Sequence, residues 1–370
     1  MSLYRSLVRP LLFRLDPEQA HELAIDALDV AQQLPLASRS LRRVFSFEHP
    51  ALRTTVAHLS FPNPVGLAAG YDKDCILRGI LPALGFGFIE LGTVTARPQS
   101  GNPRPRLFRF PQERAVINRM GFNNEGAEAA ARELDRSRKS GVPVGINIGI
   151  NKDVKPEDSP EAYAKAFSVL YPHADYFAVN VSSPNTEGLR LLQEKLRLER
   201  ILMRLQELNS GSKPVFVKLA PDLEPDALTE LLPLLERFAS GVICTNTTLD
   251  PALKQSVVGD GPELRGGLSG APLRELSTGM IRQVYRLTRG RLPIIGVGGI
   301  FSAEDAYQKI RAGASLVQVY TGLVYRGPGL AAEVNRGLVR ILREQGLGSI
   351  SEAVGRSHFD IEKPRTAVMT

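Results

Sequence analysis

The chain has 370 residues, 43% hydrophobic and 23% charged, a globular composition long enough for one large domain or two ordinary ones. Its 46 basic and 39 acidic side chains give a formal charge of +7, which favours anionic partners without choosing among nucleic acid, anionic lipid and small acids. The only cysteines, Cys75 and Cys244, are far apart and lack CxxC spacing. This excludes a disulfide framework, a zinc site and an iron–sulfur cluster, and it fits a reducing compartment.

The first 45 residues predict an amphipathic helix pair. Leu3, Leu7, Leu11, Leu12 and Leu15 recur at helical spacing with Arg5, Arg9 and Arg14 between them. A second helix starts after Asp16-Pro17-Glu18, an N-cap followed by proline in the first turn. Charges recur throughout and no small-residue cleavage site appears, so the segment does not read as a signal peptide. No stretch reaches the length of a spanning helix. Two readings stay open here: a helix pair packed on the main domain, or an interfacial element on an anionic membrane.

From residue 62 onward, short apolar runs alternate with segments of helical period. The runs are PVGLAA, FGFIELGTVT, VGINIGIN, YFAVNVS, PVFVKLAP, GVICTNTT, PIIGVGGI and SLVQVYTG. Near-continuous apolar strands alternating with helices imply a parallel sheet covered by helices. Eight of them predict an α/β fold, a (β/α)8 TIM barrel, with a small N-terminal helical extension. A doubly wound sheet is the alternative, but no GxGxxG follows the first strand. The expected organisation is an extension over 1–45, a barrel over 46–345 and a loose tail over 346–370.

Polar residues gather at the carboxyl ends of these runs: Asn147, Asn180, Ser183, Lys218, Thr245, Asn246, Thr247, Tyr320 and Thr321, with AAGYDKD at 68–74. In a barrel that rim carries ligands and catalysis. The glycine-rich turns GVGGI and YTG close the last two strands, where barrels hold phosphate on backbone N–H groups. The stretch 266–270, GGLSG, reads as a third flexible segment ahead of a helix. Lys218, between valine and leucine on a buried strand, needs a partner: an internal salt bridge, a Schiff base, a phosphate, or an electron-rich ring. Asn118, Asn147, Asn180, Asn185 and Asn246 would form an amide-rich pocket suited to a planar heterocycle with alternating C=O and N–H groups. Ser182 and Ser183, in NVSSPNTEGLR, have no histidine nearby. They either cap a turn or serve chemistry in which a bare hydroxyl suffices.

Together the motifs AAGYDKD, GTVT, NPRPRLFR, INRMGFNN, GINIGINKD, NVSSPNTEGLR, VKLAPD, TNTTLD, GGLSG, LPIIGVGGI and GASLVQVYTG resemble dihydroorotate dehydrogenase, in order from about residue 5 to 345. The DPEQAHELA helix pair and the serine at position 183 resemble the quinone-linked, membrane-associated class 2; class 1 carries cysteine at the base position. Tyr71 stands where relatives often have leucine or phenylalanine.

The resemblance implies oxidation of dihydroorotate to orotate in pyrimidine biosynthesis. FMN would be held by Ala68, Ala69, Gly70, Thr93, Asn147, Asn180, Lys218 and Thr245, with Gly270, Gly299, Tyr320 and Thr321 at its phosphate. Dihydroorotate would be held by Lys73, by Asn118, Arg119, Met120, Gly121 and Phe122, and by Asn180, Asn185, Asn246 and Thr247. Ser183 would take the C5 proton while a hydride leaves C6 for the flavin. That proton is α to a carbonyl, so the demand on the base is moderate. His21 and Arg109 would line the quinone site, and the protein would sit peripherally on the cytoplasmic face of the cell membrane. The resemblance implies no metal, nucleic acid or protein partner. Two other classes stay open: an FMN barrel oxidoreductase acting on a dihydropyrimidine with a soluble acceptor, and a non-catalytic phosphate-ligand sensor.

Overall fold

The computed structural model describes residues 3–34, 36–261 and 264–359. Eight parallel strands close a barrel: Val65–Leu67, Phe88–Val94, Val144–Ile148, Tyr176–Asn180, Val215–Leu219, Gly241–Cys244, Ile294–Val297 and Leu316–Val319. Each pairs with the next in chain order and the last pairs with the first, Val317 opposite Val65. The strands coincide with the eight apolar runs. Each is buried on both faces, which is why its sequence does not alternate.

The barrel floor is filled by aromatic rings for which glycines leave room. A Cβ on Gly66 would lie 2.4 Å from Phe88 Cζ, one on Gly145 2.0 Å from Tyr176 Cζ, and one on Gly241 2.5 Å from Phe216 Cε1. These rings cluster with Ile243, Ile295 and Leu316 and with Val56 and Phe61 of a hairpin formed by Thr54–Val56 and Leu59–Phe61. That hairpin closes the amino-terminal mouth, so ligands enter from the opposite end.

The helices turn apolar stripes towards the strands. In Pro225–Phe238, Leu228, Leu231, Leu232 and Leu235 are buried at the i, i+3, i+4, i+7 spacing that places side chains on one face. The extension carries the expected helical stretches, Tyr4–Leu12 in two short segments and Pro17–Gln33, followed by a further helix, Ala37–Phe45. Asp16 caps the long helix by accepting from Glu18 N at 2.9 Å and Gln19 N at 3.2 Å. Among the described residues, no helix is long and apolar enough to cross a membrane.

Two regions differ from expectation. Gly267–Gly270 is a strand in a three-stranded antiparallel sheet with Ala115–Asn118 and Leu107–Phe110. Its glycines serve close approach, since a Cβ on Gly270 would lie 2.3 Å from Arg114 O and one on Gly267 1.9 Å from Thr247 Oγ1. In the tail, Ile350 and Ala353 are buried, and Ile350 N and Gly355 N bond Ala51 O and Ile310 O. The tail is therefore packed as far as His358, whose ring lies on Tyr285, and residues 360–370 lie outside the described residues.

Candidate active site

One cavity opens at the carboxyl ends of the barrel strands, under the antiparallel sheet and against the extension. Its space, open mouth and adjoining solvent included, is about 1170 Å³. Ala68, Ala69, Gly70, Thr93, Asn180 and Lys218 line it, as do Thr245, Gly270, Gly299, Tyr320 and Thr321. Lys73, Asn118, Met120, Gly121 and Phe122 share its wall with Ser183, Asn185, Asn246, Thr247 and His21.

Three residues named from sequence do not reach it. Asn147 stands one layer behind, accepting from Thr93 Oγ1 at 2.6 Å and from Asn180 Nδ2 at 3.1 Å. The Arg119 guanidinium turns away to donate to Pro105 O at 2.8 Å. Arg109 donates to the carbonyls of Leu12 and Leu15 and covers the Phe13 ring at 4.4 Å, tying the extension to the sheet.

Beneath the cavity floor lies a carboxylate that the sequence reading passed over. Glu90, on the second barrel strand, is fully buried. It accepts from Gln318 Nε2 at 2.8 Å, Asn147 Nδ2 at 2.9 Å and Tyr176 OH at 3.3 Å. Lys218 is 6% exposed, and no described residue hydrogen-bonds its ammonium. Burial lowers its pKa and the Glu90 charge partly restores it. The signal was present in the sequence: FIELG and VFVKL each set one opposite charge in an apolar strand.

The adjacent serines separate by role. Ser182 Oγ donates to Asn180 Oδ1 at 3.3 Å and accepts from Asn246 Nδ2 at 3.0 Å, so it belongs to the amide network. Ser183 faces the cavity, and its Oγ accepts from Asn185 N at 3.3 Å. Among the described residues, no carboxylate or imidazole hydrogen-bonds it. Arg190, also missed from sequence, holds this loop down. It donates to Ser182 O at 3.2 Å, to Thr247 O at 3.1 Å and to the Asp222 carboxylate at 2.7 Å.

On the extension side, the His21 ring meets Tyr71 edge-on at 5.3 Å, and Tyr71 lies 6.3 Å from Tyr320. Burial and the neighbouring Lys73 charge push the His21 pKa down to about 3, so its imidazole is neutral. Burial pushes Tyr320 up to about 12. Lys73 is lowered by burial and raised by Asp74 and Glu18.

The cavity has the donors for a phosphorylated heterocycle. Among the described residues, none accepts from the backbone N–H groups of Gly298, Gly299, Ile300, Thr321 or Gly322. Successive free N–H groups of this kind form an anion cradle. Two cavity-lining side chains also keep a buried polar atom without a partner, Thr247 Oγ1 and Gln318 Oε1. Buried atoms left so are costly unless a ligand satisfies them.

The family model for dihydroorotate dehydrogenase matches residues 51–342. Proteins named dihydroorotate dehydrogenase (quinone) are similar over nearly the whole chain. The one from Gloeobacter violaceus is 50% identical, covering 96% of this chain and 99% of its own. The one from Roseiflexus sp. (strain RS-1) is 49% identical, covering 96% and 98%. The crystal structure of DHODH from Eimeria tenella in complex with ferulenol superposes with a TM-score of 0.85 at 34% identity, covering 94% of this chain and 99% of that one. The chain belongs to the dihydroorotate dehydrogenase family.

Proposed function

We propose that this protein oxidises dihydroorotate to orotate in pyrimidine biosynthesis, with FMN as its cofactor and a membrane quinone as the final electron acceptor. The observation that carries the reading is the single cavity shared by the Ser183 hydroxyl, the buried Lys218 ammonium and His21 of the extension.

The free N–H groups of the last two strand turns suit the FMN phosphate, with Gly270, Gly299, Tyr320 and Thr321 around it. Ala68, Ala69, Gly70, Thr93, Asn180, Lys218 and Thr245 would surround the ring and ribityl chain, with Asn147 fixing Thr93 and Asn180 from behind. Bound there, FMN supplies the acceptor for the hydride leaving C6 of the substrate.

Lys73 pairs with the substrate carboxylate, a charge-assisted contact strengthened by burial. Asn118, Asn180, Asn185, Asn246 and Thr247 meet the alternating C=O and N–H groups of the dihydropyrimidine, and the 119–122 backbone closes one edge. Ser183 Oγ takes the C5 proton and passes its own towards solvent. The amide donors stabilise the negative charge that develops on the adjacent carbonyl. Lys218, lining the same cavity, would hold its positive charge against the electron-rich ring of the cofactor. The loop that Arg190 holds down excludes bulk water during the step.

His21 receives the quinone head group, with Tyr320 beneath, and Arg109 orders the Leu12–Leu15 turn beside it. Leu3, Leu7 and Leu11 are each at least 60% exposed. Interleaved with Arg5, Arg9 and Arg14, they suit peripheral attachment to anionic lipid at the cytoplasmic face of the cell membrane. The extension, residues 1–45, is thereby the membrane and quinone module, residues 46–345 the FMN barrel, and residues 346–370 an appended tail.

The test is to release the bound chromophore, identify it by mass, and assay orotate formation with a short-chain quinone or with fumarate. FMN and quinone-dependent orotate formation are expected. A colourless protein, or orotate formed only with fumarate, would overturn the reading.

A further inference from the structure

Glu18 opens the long helix of the extension, yet it is buried, with a side chain 5% exposed against 7% for Arg106. The Arg106 guanidinium donates to it three times, Nη2 to Oε1 at 2.7 Å and Nε to Oε1 and Oε2 at 3.1 and 3.2 Å. Arg104 adds a contact to Glu18 Oε1 at 3.2 Å from the solvent side. A fork-on-fork pair this deeply buried fixes orientation more strictly than a surface pair.

The remaining donor of Arg106 points the other way. Its Nη1 donates to Ser100 O at 2.6 Å and Asn102 O at 2.9 Å, setting the loop that precedes the antiparallel sheet. From that loop, Asn102 Nδ2 donates to Asn185 O and Arg119 O, both at 3.0 Å. Asn185 in turn donates through Nδ2 to Asn118 Oδ1 at 3.1 Å and through its backbone N–H to Ser183 Oγ at 3.3 Å. Every link from the extension helix to the Ser183 hydroxyl is a hydrogen bond, the last of them, from Asn185 N to Ser183 Oγ, being the longest at 3.3 Å. Glu18 and Arg106 also act on the Lys73 ammonium with opposite signs.

We infer that Glu18, through Arg106 and Asn102, is a positioning residue for the dihydroorotate half-reaction, so that seating of the extension sets the geometry at Asn185 and Ser183. The inference rests on reading the site as one that oxidises dihydroorotate. It separates Glu18 from His21, one helical turn further on. His21 faces the cavity itself, whereas Glu18 acts on the opposite half of the site.

The experiment uses the full-length, flavin-loaded protein in anaerobic stopped flow. Bleaching by dihydroorotate and recovery on a short-chain quinone are followed separately for wild type, Glu18→Gln, Asn102→Ala and the double variant. Asn102→Ala cuts the relay without touching the ion pair, which keeps the test decisive if Glu18→Gln folds poorly. Each single variant is expected to slow bleaching, or raise the dihydroorotate needed for half-maximal bleaching, by between about tenfold and a hundredfold, the scale of a small misplacement. Recovery on quinone in Asn102→Ala should stay within about twofold of wild type. The double variant should be no slower than the slower single one, because coupled residues are not additive. Wild type that bleaches while Asn102→Ala matches it overturns the relay alone, as does a double variant with multiplied effects. Wild type that dihydroorotate does not bleach overturns the functional reading, and the relay with it.

Discussion

Gln318 donates its side-chain N–H to Glu90 at 2.8 Å, and the same geometry leaves Gln318 Oε1 buried without a partner. The barrel interior thus gathers its donors on one carboxylate, while Gln318 and Lys218 both line the cavity above it. Opposite charges held in a dry interior depend on each other, because removing one leaves the other uncompensated. Glu90→Gln and Lys218→Met are each expected to lower the melting temperature and the flavin content. The double variant should lose less than the two single losses added, a coupling of roughly 1 kcal/mol or more. Additive losses in a thermal-melt double-mutant cycle would show that the two charges do not interact.

Ser183 makes few structural contacts, so its removal should cost rate and not fold. Ser183→Ala is expected to slow reduction of the bound flavin by about 10²- to 10⁴-fold, the usual contribution of a positioned acid–base group. Flavin content and melting temperature should match wild type. Ser182→Ala should behave in the opposite sense. It strands hydrogen-bonding partners in the asparagine network, at a cost of about 1–3 kcal/mol, while Ser183 remains in place. Rapid-mixing reduction rates and thermal melts of both variants separate the two roles.

His21, with its pKa pushed down to about 3, is neutral throughout the physiological range. Oxidation of the reduced enzyme by quinone should therefore show no titration near pH 6.5; an inflection there that disappears in His21→Gln would contradict the assignment. The same shift fixes a sign for stability. The native state excludes a proton that the unfolded chain binds below its ordinary pKa. The contribution is therefore fully present above pH 6.5 and is lost as pH falls towards about 3. Over that window His21→Gln should flatten the acid decline of the wild type, by at most about 1.4 kcal/mol per pH unit.

Gly299 lies at φ +70°, and a Cβ there would come within 2.6 Å of Arg274 Cβ and 2.7 Å of its Cα. Gly299→Ala must displace the turn, adding to the roughly 1–2 kcal/mol that a left-handed conformation costs an L-residue. The expected result is a folded protein with a reduced flavin-to-protein ratio, measured by absorbance after desalting. A full complement of flavin would show that this turn does not hold the phosphate.

Strands and rim were legible because their signals are local. Each barrel strand is a β-branched run in its own right, and Asn180, Lys218 and Thr245 sit at or near the ends of such runs. Glu90 stands out as a lone charge in an apolar strand, but its role was not legible, since its partners Asn147, Tyr176 and Gln318 lie 57, 86 and 228 positions away. Arg190 reads as an ordinary loop cation until Asp222, 32 positions on, and Thr247, 57 positions on, are brought beside it. The GGLSG stretch misled for a related reason. Glycine marks freedom and close approach alike, and only the neighbours Arg114 and Thr247 decide between them. Arg109 and Arg119 have long side chains whose direction no local pattern sets.

The most direct test mixes the purified yellow protein anaerobically with dihydroorotate, follows the flavin absorbance, and then adds a short-chain quinone or fumarate. Bleaching by dihydroorotate followed by recovery on quinone alone is the predicted result. A yellow protein that dihydroorotate leaves unbleached would contradict the assigned substrate, and recovery on fumarate would contradict the quinone role of the extension.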